Sequence, residues 1–137
     1  MTISTSTLAS ALVLGCLGLA GQAMAACTGT PMTEAALRAV VNNNTVCAVR
    51  GAESWQELHQ AGGALIDFKR GPTHPIDPSE RVGSWSIGPS GQITYNYGTG
   101  GTTTFAVRPN GGASYSFCGM GTPDIEVNIK SGGGACP

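Results

Sequence analysis

The fold class this sequence predicts is mainly β with one N-terminal helix. The strands form an antiparallel up-and-down meander of about 7–8 strands, either a curled sheet or a small closed barrel, stapled by disulfides. Three observations predict it. Short runs alternate apolar with small polar residues through the second half of the chain. Gly-rich turns, too short for a crossover connection, separate those runs. Cys27, Cys47, Cys118 and Cys136 form an even set once a leader is removed.

The leader comes first. Leu8 to Ala20 is apolar and small-sided throughout, yet shorter than the ~20 residues a membrane-spanning helix needs. Ala23-Met24-Ala25 then places small residues where signal peptidase reads them. Residues 1–25 are therefore expected to be a cleaved signal peptide of bacterial type, and 26–137 one small β-rich domain. The product is expected in the periplasm or outside the cell, with no integral membrane segment in the mature chain. No Lys or Arg precedes the apolar stretch, which is atypical. A membrane anchor, or a lipid on Cys16 or Cys27, is the competing reading of this segment.

A helix opens the mature domain. Thr30 suits an N-cap, and Pro31 suits the first helical position because it has no N–H to leave unpaired. Leu37, Val40 and Val41 share a face, and Asn42-Asn43-Asn44 ends the pattern. Strands follow. Thr45 to Arg50 is the first, closed by Gly51. Ser54 to Gln60 and Ala64 to Arg70 form a hairpin around Ala61-Gly62-Gly63, with a helix through Ser54 to Gln60 as the rival reading.

Trp85 and Ile87, then Ile93, Tyr95 and Tyr97, then Phe105 and Val107 alternate with Ser, Thr and Asn. Tyr115 with Phe117, and Ile125, Val127 and Ile129, continue the pattern. The inner face is expected to carry Phe68, Trp85, Tyr95, Tyr97, Phe105, Tyr115 and Phe117. Those rings would nearly fill a barrel of this size, so a roomy ligand cavity is not expected.

The four mature cysteines predict two disulfides. The favoured pairing is Cys27–Cys47 with Cys118–Cys136, each closing a loop of roughly 20 residues worth ~3 kcal/mol. Cys27–Cys136 with Cys47–Cys118, which would tie the ends together, stays open. Zinc is the weaker reading, because no C-x-x-C pair exists.

Charge is sparse at 11%, with 7 basic and 8 acidic side chains, so a nucleic-acid-binding stripe is not expected. The polar face, built from residues such as Ser86, Thr94, Thr104, Ser116 and Asn128, is a neutral surface suited to a protein, a glycan or a second copy. An ordinary solvated β-face gives the same pattern.

The densest reactive cluster lies in the predicted hairpin. Trp55, Glu57 and His59 are two apart and share a face, as do Asp67 and Lys69 on the returning strand. If those faces coincide, the set can do acid–base work or bind a polar ligand; the competing reading is a cross-strand ladder of ion pairs in solvent. A stiff, Pro-rich stretch, Gly71 to Glu80, carries His74 as a further contact candidate. Its plain reading is a helical turn capped by Asp77 with Glu80 as partner.

Two histidines without a clear third ligand do not make a metal site, and no metal or cofactor is expected. Gly88-Pro-Ser-Gly91 is one residue short of G-x-S-x-G, and the glycine-rich turns lack the Lys and the helix of a phosphate loop. The functional expectation is a secreted or periplasmic, non-catalytic binding or interaction domain. The alternative is a small secreted hydrolase or acid–base enzyme using Glu57, His59 and Asp67 as catalytic residues. Contact candidates are Trp55, Glu57, His59, Asp67, Lys69 and His74.

Overall fold

In the computed structural model each strand pairs antiparallel with its sequence neighbours, and the first pairs with the last to close a barrel of eight strands. The helix α1 (Glu34–Val41) precedes β1 (Thr45–Arg50), β2 (Glu53–His59), β3 (Ala64–Phe68) and β4 (Ser79–Ile87). They are followed by β5 (Gln92–Asn96), β6 (Thr102–Gly111), β7 (Ser114–Gly119) and β8 (Ile125–Lys130). The structure describes residues 27–68 and 79–137, apart from the side chain of Glu53. The expected signal peptide, Lys69, His74 and Asp77 lie outside the described residues, but Ser79 and Glu80 open β4 opposite Phe68 and Asp67, so pairing with β3 replaces the capped helical turn expected there. The predicted meander is thus a closed barrel, which leaves no unpaired sheet edge. Glu53–His59 is a strand and not a helix, pairing with β1 along its length to Leu58 and with β3 from Glu57 to His59.

The helix starts later than Thr30 and Pro31 suggested. Thr33 is the N-cap, its hydroxyl oxygen accepting the Ala36 N–H at 3.3 Å. The segment before it is bonded to the barrel instead: Met32 N–H donates to the Val107 carbonyl at 2.8 Å. Leu37 and Val41, one turn apart, are fully buried and plug one end of the barrel with Ile87, Ile93 and Val107.

Two contacts fix that plug. Asn43 exchanges hydrogen bonds with the β2–β3 turn, its N–H donating to the His59 carbonyl and its side-chain oxygen accepting from Ala61. Gly91, in the β4–β5 turn, sits at φ +76°, with the Met32 carbonyl 2.2 Å from where a Cβ would be. No other residue fits beneath the helix there.

The disulfides correct the expected pairing. They join Cys27 to Cys118 and Cys47 to Cys136, separations of 91 and 89 residues. Neither the sequence-local pairs nor the end-to-end pair forms. Each bridge instead straps one terminal segment to the outer wall. The N-terminal strap is also held by Arg108, which donates to the Gly29 carbonyl at 3.0 Å. The C-terminal strap crosses β2 and β3: Cys136 N–H donates to the Gln56 side-chain oxygen at 3.0 Å, and the Gln56 amide donates to the Phe68 carbonyl.

This strap explains a second correction. Phe68 is not an inner-face residue. It alternates with Asp67, points outward, and packs with Leu58 under Gly133 of the tail. The inner face of the hairpin is therefore mixed, with Glu57 and His59 beside Trp55 and Leu65, while Leu58 and Phe68 lie outside under a covering segment.

Candidate functional site

The two ends of the barrel differ. The helix end is filled by aliphatic side chains. The opposite end keeps a cavity of about 180 Å³, lined among others by Arg50, Trp55, Glu57, Tyr97, Thr103 and Phe117. It exists because the expected ring inventory was too generous. Trp85, Tyr95, Phe105, Tyr115 and Phe117 are buried, but Tyr97 is only half-buried and Phe68 faces out. A larger hollow, about 530 Å³, lies on the outer wall beside the C-terminal tail. The ionisable residue on its lining, Glu126, is half-buried and is already held by Ser116 and Asn110.

Alternation along β2 puts Trp55, Glu57 and His59 on one face, as their spacing implied, and that face is the inner one and not a solvated ladder. Asp67 is the cross-strand partner of Glu57, so those two share one level of the barrel. The four residues do not form one catalytic cluster, however.

His59 is fully buried and saturated. Its Nδ1–H donates to the Glu57 carbonyl at 3.0 Å, which leaves Nε2 to accept the Tyr95 hydroxyl at 2.8 Å. Its ring packs against Trp85 and Tyr95, with centroids 5.3 and 5.4 Å away. Burial lowers its pKa from 6.5 to about 4, although the bond to the Glu57 carbonyl pulls upward. His59 is thus a neutral strut between β2 and β5 with no nitrogen left to take a proton from a substrate.

Glu57 is the buried carboxyl on the cavity wall. Its carboxylate accepts the Tyr97 hydroxyl through both oxygens, at 3.1 and 3.0 Å, and it lines the cavity while only 8% exposed. Burial raises its pKa from 4.5 to about 7; the Tyr97 hydrogen bond opposes the rise and the Asp67 charge adds to it. Burial and the neighbouring Glu57 charge also push the Tyr97 and Tyr95 hydroxyls well above their ordinary range, so both stay protonated donors. At the mouth the Arg50 guanidinium lies 5.2 Å from the Trp55 ring centroid.

Sequence reasoning placed Tyr95 and Tyr97 only as core rings. Their hydroxyls hold His59 and Glu57. The available signal was that an inward tyrosine must find an acceptor, and Glu57 and His59 were the polar inward groups nearby. Thr103 and Thr122, which add hydroxyls to the cavity lining, carried no such signal.

Neither family models, nor curated proteins, nor solved structures match this chain. Among the described residues no three His, Cys, Asp or Glu side chains are grouped to hold a metal, and no helix is long and apolar enough to cross a membrane.

Proposed function

We propose that the chain is an exported, non-catalytic binding domain whose barrel mouth takes a small ring-bearing molecule. One observation carries this reading: a closed, disulfide-strapped barrel keeps an aromatic-walled cavity of about 180 Å³ at one end, with a single buried carboxyl on its wall. An apolar cavity of roughly 150 Å³ is enough to bind benzene, so this volume suits one ring with a short substituent. Apolar walls with few polar groups are the usual make-up of a small-ligand site.

A second reading, an acid–base enzyme, draws support from Glu57, whose carboxyl titrates at about 7. It would act without His59, whose nitrogens are already bonded. Ligand-observed NMR with a set of single-ring fragments tests the binding reading. Hits with the native protein are expected to vanish in Ala48→Phe, which fills the cavity from β1. Hits that persist in that variant, or no hits at all, overturn it. Turnover of a bound fragment that is lost in Glu57→Gln would favour the enzyme.

A further inference from the structure

Resting on that reading, we infer that the cavity selects a single-ring organic cation, such as an aryl-methyl ammonium, whose N–H groups donate to Glu57 while its ring lies between the aromatic walls.

Charge and shape both point this way. Among the described residues the carboxylate of Glu57 is engaged by the Tyr97 hydroxyl, shared between its two oxygens. A carboxylate has about four lone-pair sites, so it retains acceptor capacity toward the cavity. Asp67 stands directly across the β2–β3 pair and adds negative field at the same level. Trp55 and Tyr97 line the same space, and aromatic rings attract cations, as the Trp55 ring already does the Arg50 guanidinium. An ammonium would thus relieve the desolvation and like-charge penalties on Glu57 that a neutral ligand would leave in place. An anion would meet the Glu57 carboxylate, and among the described residues that line the cavity Arg50, at the mouth, is the cation that would favour it.

Other groups facing Glu57 set the pH behaviour. Asp67 comes from β3, Tyr95 and Tyr97 from β5 and the turn after it, Arg50 from β1, and His59 from β2 itself. His59 is neutral above about 4 and both tyrosines stay protonated, whereas Glu57 changes charge at about 7. Cation binding should therefore strengthen as the pH rises through about 7 and release a proton below it.

Isothermal titration calorimetry of the full mature chain with benzylammonium, benzyl alcohol and benzoate, at about pH 8, tests the inference. Benzylammonium is expected to bind roughly tenfold or more tighter than benzyl alcohol, the margin of a charge-assisted over a neutral hydrogen bond. Glu57→Gln should erase that margin while keeping benzyl alcohol binding. If benzyl alcohol or benzoate binds as tightly as benzylammonium, or the margin survives Glu57→Gln, the cation assignment is overturned while the binding cavity stands. Binding by none of the three overturns the cation assignment; if Ala48→Phe and the native chain are then also indistinguishable to the fragment set, the cavity reading falls with it.

Discussion

Glu57→Gln should stabilise this protein, by an amount that grows with pH. Folded Glu57 keeps its proton up to about 7, whereas the unfolded chain releases it near 4.5. Between those values the folded state binds more protons, so stability falls as the pH rises. The full loss is about 3 kcal/mol. His59 works in the opposite sense. Unfolded it protonates near 6.5 and folded near about 4, so the unfolded state binds the extra proton in that window. Stability therefore falls as the pH drops, again by about 3 kcal/mol.

In the native chain the two slopes overlap between 4.5 and 6.5 and largely cancel. Glutamine keeps an oxygen for the Tyr97 hydroxyl but carries no charge. The variant should match the native protein near pH 4 and exceed it by about 3 kcal/mol near pH 8. It should also show an acid-side slope, from His59, that the native protein lacks. Urea unfolding followed by tryptophan fluorescence, with the disulfides intact, measures all three. A difference between variant and native that is the same at both pH values would refute the buried-carboxyl account.

Three further outcomes follow from the same structure. Tyr97→Phe removes the one hydrogen bond that lowers the Glu57 pKa, so the Glu57 midpoint should move above about 7, read by carbon NMR of its carboxyl. Peptide mapping without reduction should find Cys27 joined to Cys118 and Cys47 to Cys136, and replacing Cys27 and Cys118 by alanine should cost about 4 kcal/mol in urea unfolding, since that bridge closes a long loop. Gly91→Ala should cost about 2 kcal/mol or more in thermal unfolding, from the positive φ and the Met32 carbonyl together, whereas alanine at the exposed Gly112 should cost only the conformational part.

Much of this was legible in the chain. The alternation of Tyr95, Phe105 and Phe117 with small polar neighbours gives the strands, and turns such as Gly88 to Gly91 give their antiparallel order. Closure was not legible, because a curled sheet would bury the same face; the pairing of β1 with β8 decides it. The bridges were not legible, because loop length favours local pairs while the fold decides by bringing the terminal segments over β1 and β7. Phe68 misled for a related reason. Hydrophobicity says inside, but in β2 and β3 the parity of Glu57 and Asp67 prevails, and the C-terminal strap covers the apolar residues left outside. The convergence of Trp55, Glu57 and His59 was visible in their spacing. Their division into a structural histidine and a cavity carboxyl was not, because it depends on two tyrosine hydroxyls reached across the barrel.

We propose that the end of the barrel opposite the helix is a ligand site built around Glu57. Intermolecular nuclear Overhauser effects between bound benzylammonium and the protein test it most directly. Contacts are expected from the ligand ring to Trp55, Tyr97 and Thr103, with the methylene nearest Glu57. Contacts confined to the outer wall, at residues such as Thr94, Thr104 or Val49, would contradict it.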